Sequence, residues 1–166
     1  MMTQTKKVIK VGIADLNIAK SPDVIRTSGL GSCVGVVVYD LNEQIAGMSH
    51  IMLPDSQVTK QTVMNEYKYA DTAIDILIEK LLAQHARKLL LKAKIAGGAQ
   101  MFQMNSSSDV MRIGPRNVDA VIDRLKQHQI PIIASDVGGS NGRTIEFDPS
   151  TGELHIRTVS KDEKII

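Results

Sequence analysis

Cys33 and His50 are the residues whose types and spacing fit nucleophilic catalysis. Cys33 is the single cysteine of the 166-residue chain. A free thiol, with a pKa of about 8.5, is only slightly ionised at neutral pH, and a neighbouring imidazole increases its reactivity by taking the proton. Attack of the thiol on an acyl or amide carbon creates an oxyanion that backbone N–H groups can stabilise. The pair therefore predicts hydrolytic or acyl-transfer chemistry at Cys33.

Two predicted strands position this pair. Residues 34–39 form an apolar, β-branched run typical of a buried strand, and residues 45–53, which carry His50, follow a polar turn around Asn42. In an antiparallel hairpin the start of the first strand lies beside the end of the second. We therefore expect Cys33 and His50 to lie near each other at one end of a sheet.

The segment before Cys33 contains further candidate residues. Gly31 and Ser32 directly precede the thiol, and glycine lets a backbone turn expose its N–H groups to an oxyanion. Thr27 leads into the same turn and is a candidate for orienting the imidazole. The pattern also fits an inert interpretation, in which Cys33 and His50 are buried core residues and the glycines only shape a turn. Residue types and spacing leave both interpretations open.

Several short motifs follow one another along the chain. Two of them surround the candidate site: Thr27-x-x-Leu30-Gly31-Ser32-Cys33-Val34 and His50-Ile51-Met52-Leu53-Pro54. The others are Lys68-Tyr69-Ala70-Asp71-Thr72-Ala73, Lys94-Ile95-Ala96-Gly97-Gly98-Ala99 with Met101-Phe102, Ile113-Gly114-x-x-Asn117, and Asp136-x-Gly138-Gly139-x-x-Gly142-Arg143. Together they cover nearly all of the chain, which resembles the CheD family of chemoreceptor glutamine deamidases. This resemblance favours the catalytic interpretation of Cys33.

The resemblance implies hydrolysis of glutamine side chains of bacterial chemoreceptors to glutamate. Cys33 would attack the carboxamide carbon, and His50 would protonate the departing ammonia and then serve as base while water hydrolyses the thioester. Thr27 would orient His50, and the backbone from Gly31 and Ser32 to Cys33 would stabilise the oxyanion. The resemblance also implies binding to the chemotaxis phosphatase CheC.

Three other functions remain alternatives. The same machinery would hydrolyse a glutamate methyl ester, because only the leaving group differs. A non-catalytic adaptor would bind receptors or CheC through the same surface, although such a protein has no need for the set of Thr27, Cys33 and His50. A redox sensor centred on Cys33 would lack a resolving cysteine.

Composition argues against several other classes of protein. The net charge is only +2, no Trp is present, and no block of basic residues occurs, so we expect no nucleic-acid partner. The apolar runs are shorter than the roughly 18 residues of a membrane span. The N-terminal MMTQTKK has no apolar stretch and a lone cysteine suits a reducing compartment, so we expect a cytoplasmic protein. The four histidines lack metal-ligand spacing, and we expect no metal or cofactor.

The remaining patterns predict one mixed α/β domain over residues 1–166, with flexible ends at 1–6 and 161–166. Apolar stripes at spacings of three and four residues predict two amphipathic helices, over residues 65–84 and from Gly114 to about residue 126. Besides the hairpin, strands are predicted at 6–14, 89–96, 130–135, 144–147 and 154–159. The resemblance implies that these elements form a layered sandwich of β-sheets with the helices packed against them.

The Gly97-Gly98 pair is followed by Met101 and Phe102. A Gly-Gly pair after a strand can bind phosphate, but this one lacks the Lys-Ser/Thr of a P-loop. Tight backbone packing, or an exposed contact of Met101 and Phe102 with a protein partner, is the favoured interpretation because methionine adapts well to binding surfaces.

Overall fold

The computed structural model describes residues 5–56, 65–101, 112–160 and 162–166. These ranges contain ten strands, two α-helices and a 3-10 turn at Lys88–Leu90. The strands are β1 (Val8–Val11), β2 (Leu16–Lys20), β3 (Val24–Leu30), β4 (Val34–Asp40), β5 (Ile45–Ile51), β6 (Lys92–Gly97), β7 (Ile132–Val137), β8 (Arg143–Asp148), β9 (Glu153–Thr158) and β10 (Glu163–Ile165). The helices are α1 (Ala70–Ala83) and α2 (Ile113–Gln127). Neither is long and apolar enough to cross a bilayer.

The strands of the described ranges form two sheets, which confirms the predicted mixed α/β layered fold. The central sheet has the order β2-β5-β4-β6-β7, and the outer sheet has the order β1-β3-β8-β9-β10. Both helices pack on one face of the central sheet, and the outer sheet packs on its other face. The layers therefore follow one another as helices, central sheet and outer sheet.

Strand β4 separates the two cores of the protein. Val34, Val36 and Val38 pack with the helices. Val37 and Tyr39 point the other way and pack against the outer sheet. Because both faces are covered, every residue of β4 is buried and the strand is a continuous apolar run rather than an alternating one.

The two helices have the predicted apolar stripes. In α1 the buried residues are Ala70, Ala73, Ile74, Leu77, Ile78 and Leu81. The helix begins at Ala70 rather than near residue 65, because Asn65 closes a turn in which its side chain accepts a hydrogen bond from the Tyr67 N–H. Asp75 of α1 forms an ion pair with Arg124 of α2 and a 2.6 Å hydrogen bond with His128. These polar contacts fix the two helices side by side.

Three strands, two of them at sheet edges, differ most from the expectation. Periodicity missed β2 and treated β3 as an irregular approach to the site, whereas both are strands. The segment 161–166, expected to be flexible, contains β10, which pairs antiparallel with β9. Such strands are stabilised by hydrogen bonds to a neighbour, and their side chains need not alternate between core and solvent.

Gly47 of β5 lies at a close contact between helix and sheet. A Cβ atom there would lie 2.4 Å from Cδ1 of Leu77 and 2.9 Å from Cδ1 of Ile18. We expect Gly47→Ala to lower the free energy of unfolding by about 1–3 kcal/mol, because both neighbours must shift. Gly12→Ala is the matched control, since nothing lies within 4 Å of a Cβ atom at Gly12. Urea denaturation compares the two variants, and equal stabilities would contradict this account.

Candidate active site

Thr27 and His50 meet across the interface between the two sheets. Thr27 lies on β3 and His50 on β5, and their exposed fractions are 2% and 0%. Thr27 Oγ1 lies 2.7 Å from His50 Nδ1 and donates to the main-chain oxygen of Val11 at 2.8 Å. The single hydroxyl proton is used at Val11, so the Thr27 oxygen accepts from Nδ1–H of His50. This contact sets the tautomer of the ring and leaves the lone pair on Nε2.

The free nitrogen of His50 is suited to accept a proton. Nε2 is buried and has no hydrogen-bond partner among the described residues. Burial lowers the pKa of His50 to about 4, so the ring is neutral at pH 7. A neutral imidazole with a fixed Nδ1–H has a free lone pair on Nε2, which is the form required of a general base.

The connection between β1 and β2 holds the backbone of His50. The His50 N–H donates to the Asp15 oxygen at 3.0 Å, and the Ala14 N–H donates to the His50 oxygen at 3.1 Å. The same stretch of chain includes Val11, which binds Thr27. The ring and the main chain of His50 are therefore both positioned by residues that precede β2, a contribution that periodicity did not predict.

Cys33 lies on the same side of the central sheet as His50. The register of β4 with β5 pairs Gly35 with His50 and Val34 with Ile51, which confirms the predicted hairpin. Cys33 packs with the residues that face the outer sheet, one position before β4. Extending the register makes Cys33 and His50 diagonal neighbours, whose Cα atoms are typically about 7–8 Å apart. Gly35, between them on this face, has no side chain to separate thiol and imidazole.

The Cys33 thiol is half-buried, and its environment keeps it protonated at rest. Burial raises the pKa of Cys33, while a hydrogen bond from its own backbone N–H acts in the opposite direction. With His50 neutral as well, the resting pair carries no charge. A nucleophilic reaction of Cys33 would therefore require the thiol proton to pass to the imidazole.

The turn before Cys33 has two N–H groups available for an oxyanion. The Gly31 N–H donates to the Gly29 oxygen at 3.1 Å and is therefore engaged within the turn. Among the described residues, no other residue accepts from the N–H of Ser32 or of Cys33. The Gly31 N–H is therefore not free to bind an oxyanion. The N–H groups of Ser32 and Cys33 are the candidate oxyanion donors.

The Gly97-Gly98 pair packs tightly against this turn. The Gly98 N–H donates to the Cys33 oxygen at 2.8 Å, and a Cβ atom at Gly97 would lie 2.4 Å from that oxygen.

Met101 is 46% exposed, and its Cγ would lie 3.2 Å from a Cβ atom at Gly31. The structure therefore places Met101 beside the turn that carries Cys33. Phe102 lies outside the described residues.

Comparison with known proteins places the chain in a family. The family model described as CheD chemotactic sensory transduction matches residues 52–158. The chain belongs to the CheD family. A protein of Halalkalibacterium halodurans named chemoreceptor glutamine deamidase CheD is 60% identical over 159 residues, which cover 96% of this chain and 98% of that protein. The protein of that name from Bacillus subtilis is 56% identical over 166 residues, which is 100% of both chains.

A third relative, named probable chemoreceptor glutamine deamidase CheD, comes from Clostridium botulinum. It is 55% identical over 161 residues, with 96% of this chain and 98% of that protein covered. The match to the CheD family model begins after Thr27, Cys33 and His50, whereas the alignment with the Bacillus subtilis relative spans the whole chain.

Asn117 of α2 touches the site, although in the sequence it is distinguished only as the last residue of the Ile113-Gly114-x-x-Asn117 motif. Its side-chain nitrogen donates to the Ser32 oxygen at 3.0 Å and to the Met52 oxygen at 2.9 Å, and the residue is fully buried. One signal was visible in the sequence: Asn117 lies next to Val118 and Val121 on the apolar side of the helix. A polar side chain at such a position needs buried partners.

Arg143 holds the two ends of the glycine-rich loop at 136–143 together. Its Nε donates to Asp136 Oδ2 at 3.0 Å and its Nη2 donates to the Gly138 oxygen at 2.9 Å. Asp136 belongs to the central sheet and Arg143 to the outer sheet, so the loop is closed by an ion pair between layers.

Among the described residues, no group of three or more His, Cys, Asp or Glu side chains is arranged to hold a metal ion.

The neutral, buried state of His50 makes stability depend on pH. The ordinary histidine pKa is 6.5 and that of folded His50 is about 4, so the unfolded chain binds more protons between these values. The free energy of unfolding therefore falls as the pH drops from 6.5 towards 4, by about 3 kcal/mol for this group. His50→Gln keeps a donor for Thr27 but does not titrate. Urea denaturation across this range should show the stability advantage of wild type over His50→Gln shrinking with decreasing pH, and a constant difference would contradict the burial argument.

Proposed function

We propose that this protein hydrolyses glutamine side-chain amides of methyl-accepting chemoreceptors to glutamate. The observation that carries the proposal is the bond between Thr27 and His50 Nδ1, which leaves a neutral Nε2 free on the face that also carries Cys33. Membership of the CheD family supports the choice of substrate, since the relatives are named chemoreceptor glutamine deamidases. The single cysteine fits a reducing compartment, and we propose that the protein acts in the cytoplasm.

The first half of the reaction forms a thioester. Cys33 Sγ attacks the carboxamide carbon while its proton moves to His50 Nε2, so that two neutral groups become an acyl adduct and an imidazolium. The Ser32 and Cys33 N–H groups stabilise the oxyanion. The adduct is tetrahedral at this point, and its oxyanion re-forms the C=O bond as the C–N bond breaks. The imidazolium proton leaves with the nitrogen as ammonia, and a thioester to Cys33 remains.

The second half regenerates the thiol. Water attacks the thioester carbon while His50 Nε2 accepts its proton, and the proton is returned to sulfur as the C–S bond breaks. The net change is amide plus water to carboxylic acid plus ammonia, and no step needs a redox or metal cofactor. A glutamate methyl ester would follow the same course with methanol as the leaving group.

We also propose that CheC binds near this site. Met101 supports the location, because it is partly exposed and lies against Gly31 of the turn that carries Cys33. A flexible thioether next to the nucleophile can contact either a receptor or a regulatory partner.

Mass spectrometry of a receptor cytoplasmic fragment tests the reaction. We expect wild-type protein, with CheC present, to convert specific glutamines to glutamate, whereas Cys33→Ala should convert none because it has no nucleophile. The fragment should still bind the variant, and this binding serves as the control for folding. Conversion by Cys33→Ala would exclude the thioester mechanism, and a biological effect preserved without any conversion would favour an adaptor. The same assay with a receptor fragment that carries glutamate methyl esters tests the methylesterase alternative.

A pair of variants tests whether the hydroxyl of Thr27 orients the His50 ring. Thr27→Val keeps the shape of the side chain but leaves His50 Nδ1–H and the Val11 oxygen without their shared partner, and we expect kcat to fall at least about tenfold with KM little changed. Thr27→Ser retains the hydroxyl and should keep most of the activity. Steady-state kinetics on the receptor fragment compares them, and equal activities would show that the hydroxyl does not orient the base.

A further inference from the structure

Asn117 joins the two chain segments that carry the candidate nucleophile and base. Its amide nitrogen donates one hydrogen to the Ser32 oxygen and the other to the Met52 oxygen, at 3.0 and 2.9 Å. Ser32 directly precedes Cys33, and Met52 follows His50 by two residues. One buried side chain from the helix layer therefore fixes the relative position of both segments.

The contact with Ser32 also fixes the direction of an N–H group. The Ser32 carbonyl and the Cys33 N–H belong to one peptide unit, and in a trans peptide these two groups point in opposite directions. Helix α2 lies on one face of the central sheet and the Cys33 side chain lies on the other. Holding the Ser32 oxygen towards α2 therefore turns the Cys33 N–H towards the side of its own thiol.

Two further contacts hold this arrangement in place. A Cβ atom at Gly114 would lie 2.4 Å from the Ala99 oxygen, so the first turn of α2 is packed against the chain that follows β6. The Ala99 N–H in turn donates to the Gly31 oxygen at 2.9 Å, which directs the Ser32 N–H by the same peptide geometry.

The side-chain oxygen of Asn117 is buried and has no hydrogen-bond partner among the described residues. An unpaired buried acceptor is unfavourable for folding, whereas the side-chain nitrogen pairs two carbonyls that an apolar residue would leave without this donor. The contribution of Asn117 therefore comes from fixing the Ser32 and Met52 carbonyls.

We infer that Asn117 is a positioning residue for the reaction, which aims the Cys33 N–H at the oxyanion of the bound substrate. The inference rests on the proposed function. Asn117 itself does not touch the reacting atoms; it acts through the peptide unit that joins Ser32 to Cys33.

The test compares two reactions of the same thiol in wild type, Asn117→Ala and Asn117→Asp. Deamidation of the receptor fragment forms an oxyanion, whereas alkylation of Cys33 by iodoacetamide forms a C–S bond at a saturated carbon and releases iodide. Because Cys33 is the single cysteine, the alkylated product is identified by mass. We expect kcat to fall about 100-fold, the typical loss for one oxyanion donor, while KM and the alkylation rate change little.

Arg124→Ala is the matched control on the same helix. It removes the ion pair with Asp75 and loosens the contact between the two helices without touching the turn. This variant should lose thermal stability and keep the wild-type kcat. Asn117→Asp preserves the size of the side chain, so it keeps the test usable if the cavity left by Asn117→Ala prevents folding.

Four results would overturn the inference. They are an unchanged kcat in both Asn117 variants, parallel losses of deamidation and alkylation, loss of the folded state in both variants, or a kcat in Arg124→Ala that falls as far as in the Asn117 variants. Failure of wild type to deamidate the fragment with CheC present, while its thiol still reacts with iodoacetamide, is a separate result. It would remove the proposed function on which the inference rests.

Discussion

The hydroxyl of Thr27 is the contact on which the candidate site depends. It donates to Val11 and accepts from His50, and thereby connects β1, β3 and β5. Both partners are buried, and a polar group left unpaired in such a place costs about 1–3 kcal/mol. The same hydroxyl therefore sets the tautomer of His50 and links the outer sheet to the central sheet, which pack together through their shared apolar core.

Burial between the sheets also sets the charge state of the site. His50 is kept neutral because its pKa is lowered to about 4, and burial raises the pKa of Cys33. The resting site is an uncharged thiol next to an uncharged imidazole, which costs less to bury than an ion pair. In the reaction that we propose, charge develops only during attack, and the Ser32 and Cys33 N–H groups would stabilise it.

Each layer of the protein contributes to this arrangement. The outer sheet provides Thr27, and the helix layer provides Asn117. The central sheet provides His50 and also β4, which begins directly after Cys33. Glycines make the close approaches possible, most clearly Gly97, where a Cβ atom would collide with the Cys33 oxygen. The relative placement of these groups is therefore tied to the packing of the whole domain.

Local pattern by itself determined the two helices and the hairpin, because amphipathic stripes and a turn between adjacent strands are short-range features. It thereby also placed Cys33 and His50 at one end of a sheet. The pairing of Thr27 with His50 was also expected from the sequence, whereas only the tertiary structure decided the second partner of Thr27, Val11, and the partners of Asn117. The pKa of His50 is likewise a product of packing, since burial exists only after both sheets have come together. Short edge strands such as β2 were missed for the same reason: hydrogen bonds from a neighbouring strand, rather than their own periodicity, hold them in place.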